Sequence, residues 1–223
     1  ITTDKNINEL INGVELYNET HATKLTLLVI GNGNNTFNSL TKYIKLLGHL
    51  PFSEIELLYD KVDYVISASI TEGKPFSIIE ALSRGIPCIH SNINGINEII
   101  MDNENGFLFD FASSYDTIKY DLHFKNLPSI HHKDNKHKIA EVLNKAYNIP
   151  IKQWNTMSKK CNQYANFKYQ KDYCIDKNLF LFNNIPFNPR NKVKLFINFK
   201  PDETKPYGGG NISVFYLIKY LYS

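Results

Sequence analysis

Two carboxylates bracket the start of a helix in residues 71–85: Glu72 stands just before it and Glu80 inside it, with seven residues between them. Pro75 occupies the place of a first helical residue, where its missing N–H is no loss and its fixed φ suits the helix. The turn beyond it would leave the N–H groups of Phe76, Ser77 and Ile78 free, and a helix amino end attracts anions through such groups and through its dipole. A phosphate suits that place. Glu80 is then spaced to accept hydrogen bonds from ribose hydroxyls, and Glu72 to do the same for the hydroxyls of a sugar. The combined ligand is a sugar joined to a nucleotide diphosphate, whose leaving diphosphate needs its growing negative charge stabilised. Taken one at a time, both carboxylates also read as solvated side chains.

The elements that must position this segment follow from apolar spacing. Ile7, Leu10, Ile11, Val14 and Tyr17 predict an amphipathic helix over residues 6–18. Residues 25–30 are apolar but for Thr26 and end in Gly31-Asn32-Gly33, as a strand buried on both faces and closed by a tight loop would. Residues 43–47 make a second strand, and Ser53-Glu54-Ile55-Glu56 reads as a capping box opening a helix through Tyr59. Further strands are expected at 62–68, 86–90 and 107–109, with a short helix over 96–101. The helix begun at Pro75 is stopped by Gly85 and Pro87. Alternating strands and helices predict right-handed crossovers and a doubly wound parallel sheet, which binds ligands beyond the carboxyl ends of its strands. Residues 112–137 are polar and rich in His and Lys, and read as a loop. Residues 137–182 return to helical periodicity, 183–191 read as a linker, and 192–223 open a new strand, a Gly-rich loop and a helix.

Composition excludes several classes. Apolar residues at 43% and charged residues at 21% of the 223-residue chain describe a globular protein. A net charge of +3, from 25 basic and 22 acidic residues, is too small to argue for nucleic acid as a partner. No apolar run is long enough to span a bilayer, so no transmembrane segment is expected, and peripheral membrane contact stays open. Cys88, Cys161 and Cys174 show neither paired nor metal-type spacing, as expected in a reducing, cytoplasmic setting. His131, His132 and His137 lack Cys or carboxylate partners at ligand spacing, so no metal is expected there.

S-I-T-E-G-K-P-F-S-I-I-E-A-L-S-R-G-I-P-C-I resembles the signature of glycosyltransferase group 1, also called family 4, whose hallmark is E-x(7)-E followed by A-(small)-(x)-G-x-P. L-L-V-I-G-N-G, Y-I-K-L-L-G-H-L, L-L-Y-D-K-V-D-Y-V-I-S-A-S and N-G-I-N-E-I-I-M-D-N-E-N-G-F-L-F match the companion blocks in order. The blocks cover residues 1 to about 110, and the likeness extends more loosely over the helices to about 182. The resemblance implies the nucleotide-sugar-binding half of a GT-B enzyme, a Rossmann-like fold. It implies a retaining, metal-independent hexosyltransferase with no cofactor beyond its UDP- or GDP-sugar donor. Glu80 would hold the ribose, Glu72 would lie by the donor sugar, and Phe76 and Ser77 would offer N–H groups to sugar and phosphate. Gly31 and Gly33 would let the backbone approach the diphosphate, and Leu50 would line the base pocket through its main chain. Lys5 stands where the family has the Lys of an Arg, four residues, Lys pair on the diphosphate. Lys74 replaces an apolar residue and has the charge and position for a phosphate contact, while Glu98 has a family counterpart with a structural or sugar-orienting role.

The partner Arg would fall one residue before Ile1, and the first strand of this half-molecule would precede it. The expectation is therefore a GT-B donor domain over 1–182 that lacks its first strand, with a truncated second glycosyltransferase-like α/β unit over 192–223. In that unit Gly209, Gly210 and Asn211 would belong to another enzyme's site, unless they form a plain Gly-rich turn. Such a piece would bind donor weakly and transfer nothing alone; its acceptor, whether glycan, lipid or protein, is not readable. The rival readings are a sugar-nucleotide epimerase of the same fold and a non-catalytic relic that only binds a nucleotide or a partner.

Overall fold

The helical spacing at the amino end forms α1 (Ile7–Thr20), which buries Leu10, Ile11, Val14 and Tyr17 on one face. The computed structural model describes residues 5–31, 40–93, 95–111 and 135–169. The chain divides into two units, residues 1–170 and 171–223. The second lies outside the described residues, as do the expected linker at 183–191, the Gly-rich loop at 208–210 and Asn211. Most of the expected loop at 112–137 lies outside them too; its last residues, 135–137, open a helix.

Five strands follow the predicted order: β1 (Leu27–Ile30), β2 (Ile44–Gly48), β3 (Val65–Ser67), β4 (Cys88–Ser91) and β5 (Gly106–Phe109). Every pairing between them is parallel. They form two hydrogen-bonded sheets, β1-β2 and β3-β4-β5. Within the doubly wound order 3-2-1-4-5-6, neighbours 3-2 and neighbours 4-5-6 form groups of this composition, all parallel. That is the pairing observed. β4 is buried along its whole length, as a central strand of a covered parallel sheet should be.

Between the strands lie α2 (Phe52–Tyr59) and α3 (Phe76–Ser83), and after β5 come α4 (Asn135–Tyr147) and α5 (Ile151–Lys168). The core gathers around α3: Ile78, Ala81 and Leu82 are buried together with Cys88 and Ile89 of β4, Phe107 of β5 and Met157, Cys161 and Ala165 of α5. α1 packs on α4 at close range, because a Cβ at Gly13 would lie 2.4 Å from Ile139 Cγ2.

Several boundaries differ from expectation, each for a local reason. α3 begins at Phe76, with Pro75 as its extended N-cap (φ −72°, ψ 105°) and not its first helical residue. Its end is as the sequence indicates: Gly85 takes a left-handed φ of +76°, and Gly85 N–H and Ile86 N–H close on the Leu82 and Ala81 carbonyls. The capping box at Ser53 does not form. Pro51 caps α2, no side chain caps it, and Glu56 pairs with Arg84 at 2.7 Å. Residues 96–99 are turns and 100–101 irregular, not a helix, and the buried Asn105 side chain takes Ile99 O (3.0 Å) and Met101 N–H (2.8 Å) for itself. The periodicity from 137 is two helices, divided before Pro150, which caps α5. β3 is shorter than the expected 62–68, and Val62 and Tyr64 pack half-buried against the core.

Candidate functional site

The carboxyl ends of β3 and β4 are tied together by small polar side chains. Ser67 Oγ and Ser69 Oγ share a hydrogen bond of 2.9 Å, and Ser91 Oγ donates to the Ser69 carbonyl. Ala68, Ser69, His90 and Ser91 are fully buried, so the chain leaves a rigid base before it reaches the loop at 71–75. From that loop the Glu72 carboxylate meets Lys5, which stands one residue before Asn6, the left-handed N-cap of α1 (φ 51°, ψ 39°). Lys5 Nζ and Glu72 Oε1 are 2.5 Å apart, with side-chain exposures of 42% and 11%. Two residues 67 positions apart are thus joined by an ion pair in which the carboxylate is the more buried partner.

Past the loop, the first turn of α3 presents its amides. Ile78 N–H is not free as expected: it donates to the Pro75 carbonyl at 3.1 Å, as Ile79 N–H does at 3.3 Å. Phe76 and Ser77 N–H find no acceptor among the described residues, and both residues are exposed. Two donors therefore remain at this helix end, not three. Lys74 beside them is exposed.

Glu80 lies one turn further along and is held from α2. Tyr59 Oη donates to Glu80 Oε2 at 3.2 Å and lies 3.4 Å from the Ser77 carbonyl. Burial, then the nearby Glu80 charge, pushes the Tyr59 hydroxyl well above the usual phenol range, so it stays a donor at neutral pH. The Arg84 guanidinium sits 5.1 Å from the Tyr59 ring centroid and pairs with Glu56. Glu80 also borders a groove of about 220 Å³ between α3 and α5, lined with Ile79, Ser83, Ala165, Asn166 and Tyr169.

Gly31 and Leu50 stand at the carboxyl ends of β1 and β2. Gly31 has a φ of +123°, which a side chain would resist, and its N–H donates to the Gly48 carbonyl at 2.7 Å. No hydrogen bond among the described residues links Gly31 or Leu50 to Glu72 or Glu80, and Gly33 lies outside those residues. Glu98 has an exposed side chain, while its main-chain carbonyl takes Tyr164 Oη and Lys168 Nζ from α5.

His90 Nδ1–H donates to the Ser91 carbonyl at 2.9 Å, and Nε2 is buried without a hydrogen-bond partner. Burial lowers its pKa. Cys88 and Cys161 are buried thiols pushed up by burial, as expected of core residues. No three His, Cys, Asp or Glu side chains come together as a metal site among the described residues.

Sequence reasoning missed Tyr59 and the Arg84–Glu56 pair that steadies it. Twenty-one positions separate Tyr59 from Glu80, and no local pattern announces a contact set by a crossover.

The parallel strands, the crossover helices and the polar loop between β3 and α3 define the Rossmann-like half of the GT-B architecture. Residues 1–123 match the family described as Glycosyl transferases group 1, and the chain belongs to that family. Among curated relatives it is similar to the alpha-monoglucosyldiacylglycerol synthase of Acholeplasma laidlawii, at 26% identity over 154 residues, covering 66% of this chain and 38% of that protein. It is also similar to the putative glycosyltransferase EpsD of Bacillus subtilis, at 31% identity over 117 residues, covering 50% of this chain and 30% of that one. The chain thus spans less than half the length of these relatives. Solved structures share its fold as well. HepE of Anabaena, in complex with UDP and glucose, aligns with a TM-score of 0.60 at 16% identity, covering 83% of this chain and 46% of that one. The C-terminal domain of the group 1 protein LpcC of Francisella tularensis aligns at 0.58 and 21% identity, covering 77% and 83%. No helix among the described residues is long and apolar enough to cross a membrane.

Proposed function

We propose that this chain is the donor-binding part of a retaining, metal-independent hexosyltransferase that acts in the cytoplasm on a nucleotide-diphosphate sugar. The observation that carries the reading is the meeting of Lys5 with Glu72 one short loop ahead of the α3 amino end. A cation, a carboxylate and two free amides are what a diphosphate joined to a polyol requires. Lys5, Phe76 N–H and Ser77 N–H stabilise the departing diphosphate. Glu72 accepts hydrogen bonds from the sugar, and Glu80, fixed by Tyr59, accepts them from the ribose. Gly31 and Gly33 admit the diphosphate to the backbone, and the main chain of Leu50 borders the base. Both the HepE complex, which holds UDP and glucose, and the relatives named as glycosyltransferases support this reading. The acceptor is a glycan, lipid or protein met by other parts of the enzyme.

Calorimetric titration of UDP, GDP, UDP-glucose and GDP-mannose into the chain and its Glu80→Ala variant tests it. Saturable binding of one base series, weakened at least tenfold in the variant, is the expected result. A folded chain that binds none of the four would overturn the reading.

A further inference from the structure

Lys5 and Glu72 are assigned, on the reading above, to two different parts of one ligand, yet they hold each other at 2.5 Å. A diphosphate that takes Lys5 removes the counter-charge of a carboxylate that is only 11% exposed. No second cation pairs with Glu72 among the described residues. The loop is confined on its other side, where a Cβ at Gly95 would lie 3.5 Å from the Gly73 carbonyl and 3.9 Å from that of Glu72. His90 is close enough to feel both charges, but its burial keeps it neutral, so it cannot replace Lys5. Leaving a largely buried carboxylate without its partner is costly. Hydroxyl groups donated to it offset that cost, because they restore charge-assisted hydrogen bonds.

Resting on the proposed donor site, we infer that the Lys5–Glu72 pair makes the site discriminate between an activated sugar and the free nucleoside diphosphate. An activated sugar supplies both replacements at once, a diphosphate for Lys5 and hydroxyls for Glu72. The free nucleoside diphosphate supplies only the first. Once the sugar has left, Glu72 competes for Lys5 and lowers the affinity for the remaining diphosphate. The pair therefore opposes product retention, and Glu72 acts on product release as well as on the sugar.

The test is a double-mutant cycle read by calorimetry on the full chain, with UDP and UDP-glucose, or their GDP counterparts, as probes. The variants are Glu72→Gln, Lys5→Ala and both together. Glu72→Gln is expected to bind the free diphosphate about tenfold more tightly than the parent, equivalent to about 1.4 kcal/mol. The preference for the sugar nucleotide over the diphosphate shrinks by at least that factor, because the variant also loses the charged acceptor for the sugar hydroxyls. In the Lys5→Ala background the gain disappears. An unchanged diphosphate affinity in Glu72→Gln overturns the inference. So does a gain that persists without Lys5, since that reports only the removal of a negative charge. If Glu72→Gln does not fold, Glu72→Asp, which lengthens the pair, is expected to give a smaller gain in the same direction. Absence of nucleotide binding by every folded form rejects the donor-site reading itself, and this inference with it.

Discussion

Tyr59, the last residue of α2, donates its hydroxyl hydrogen to Glu80 in the second turn of α3, at 3.2 Å. The tyrosine is 8% exposed and its ring is covered by Arg84, so the donor is held in place while the acceptor keeps one oxygen for other partners. Tyr59→Phe removes only that oxygen. It is expected to cost about 1 kcal/mol of stability, the usual net value of one such hydrogen bond. The melting temperature should fall by about 2–4 °C. Nucleotide affinity should drop as well, because the freed Glu80 carboxylate samples other rotamers. Thermal melts of parent and variant, with and without nucleotide, separate the two effects.

The pH dependence of stability should carry the mark of His90. In the folded chain burial lowers its pKa, whereas in the unfolded chain it titrates near 6.5. Below that pH the unfolded state binds a proton that the folded state refuses. The contribution of His90 is therefore fully present above about pH 6.5 and is lost as pH falls, by up to about 1.4 kcal/mol per pH unit until the folded group also titrates. Urea denaturation between pH 7.5 and 5.5 measures the slope, and His90→Asn should flatten it. A parent whose stability is level across that range would contradict the assignment.

Gly13→Ala introduces a Cβ where Ile139 Cγ2 would be 2.4 Å away and Ile139 Cβ 2.5 Å away. The helices α1 and α4 must separate, at an expected cost of about 1–3 kcal/mol. Since the Ile139 Cβ itself is in the way, Ile139→Val should not rescue the variant. Recovery of parental stability in that double variant would show that the contact is softer than the geometry indicates.

Cys88 and Cys161 are buried, and burial raises both thiols above the ordinary range. Thiolate is the reactive form, so both should resist alkylation while the chain is folded. Mass spectrometry after brief iodoacetamide treatment, with and without urea, should find these two positions modified only in the denatured sample.

How much of this was legible beforehand depends on the range of the interaction involved. β1, expected to be buried on both faces, leaves Ile30 38% exposed, whereas the buried run of β4, the apolar face of α1 and the Gly85 stop of α3 are set by neighbours within a few positions. Their element types were readable for that reason. Errors arose where a second local signal overrode the first. Pro51 started α2 before Ser53 could cap it, and the Asn105 side chain holds Ile99 O and Met101 N–H where a helix at 96–101 was expected. In the candidate site, Glu72, Glu80 and the α3 amino end were visible as residue types at a spacing. Lys5 was legible only through resemblance, because nothing within 67 positions of chain requires it to reach Glu72. Tyr59 was not legible at all, since the crossover from α2 to α3 decides which side chain meets Glu80.

The division of the strands into a pair and a triplet also governs how the backbone exchanges its amide protons with heavy water. β4 is hydrogen-bonded on both sides, to β3 and β5, so its amides are released only by the largest opening of the chain. β1 and β3 are hydrogen-bonded on one side only among the described strands. Alternate amides along each of them point away from a partner strand and can exchange through small local openings. Lys5 enters α1 on the way to β1, whereas Glu72 leaves β3, so their ion pair crosses from one strand group to the other. Ligand that separates the pair should therefore change the protection of the β1 and β3 amides while leaving those of β4 as they were.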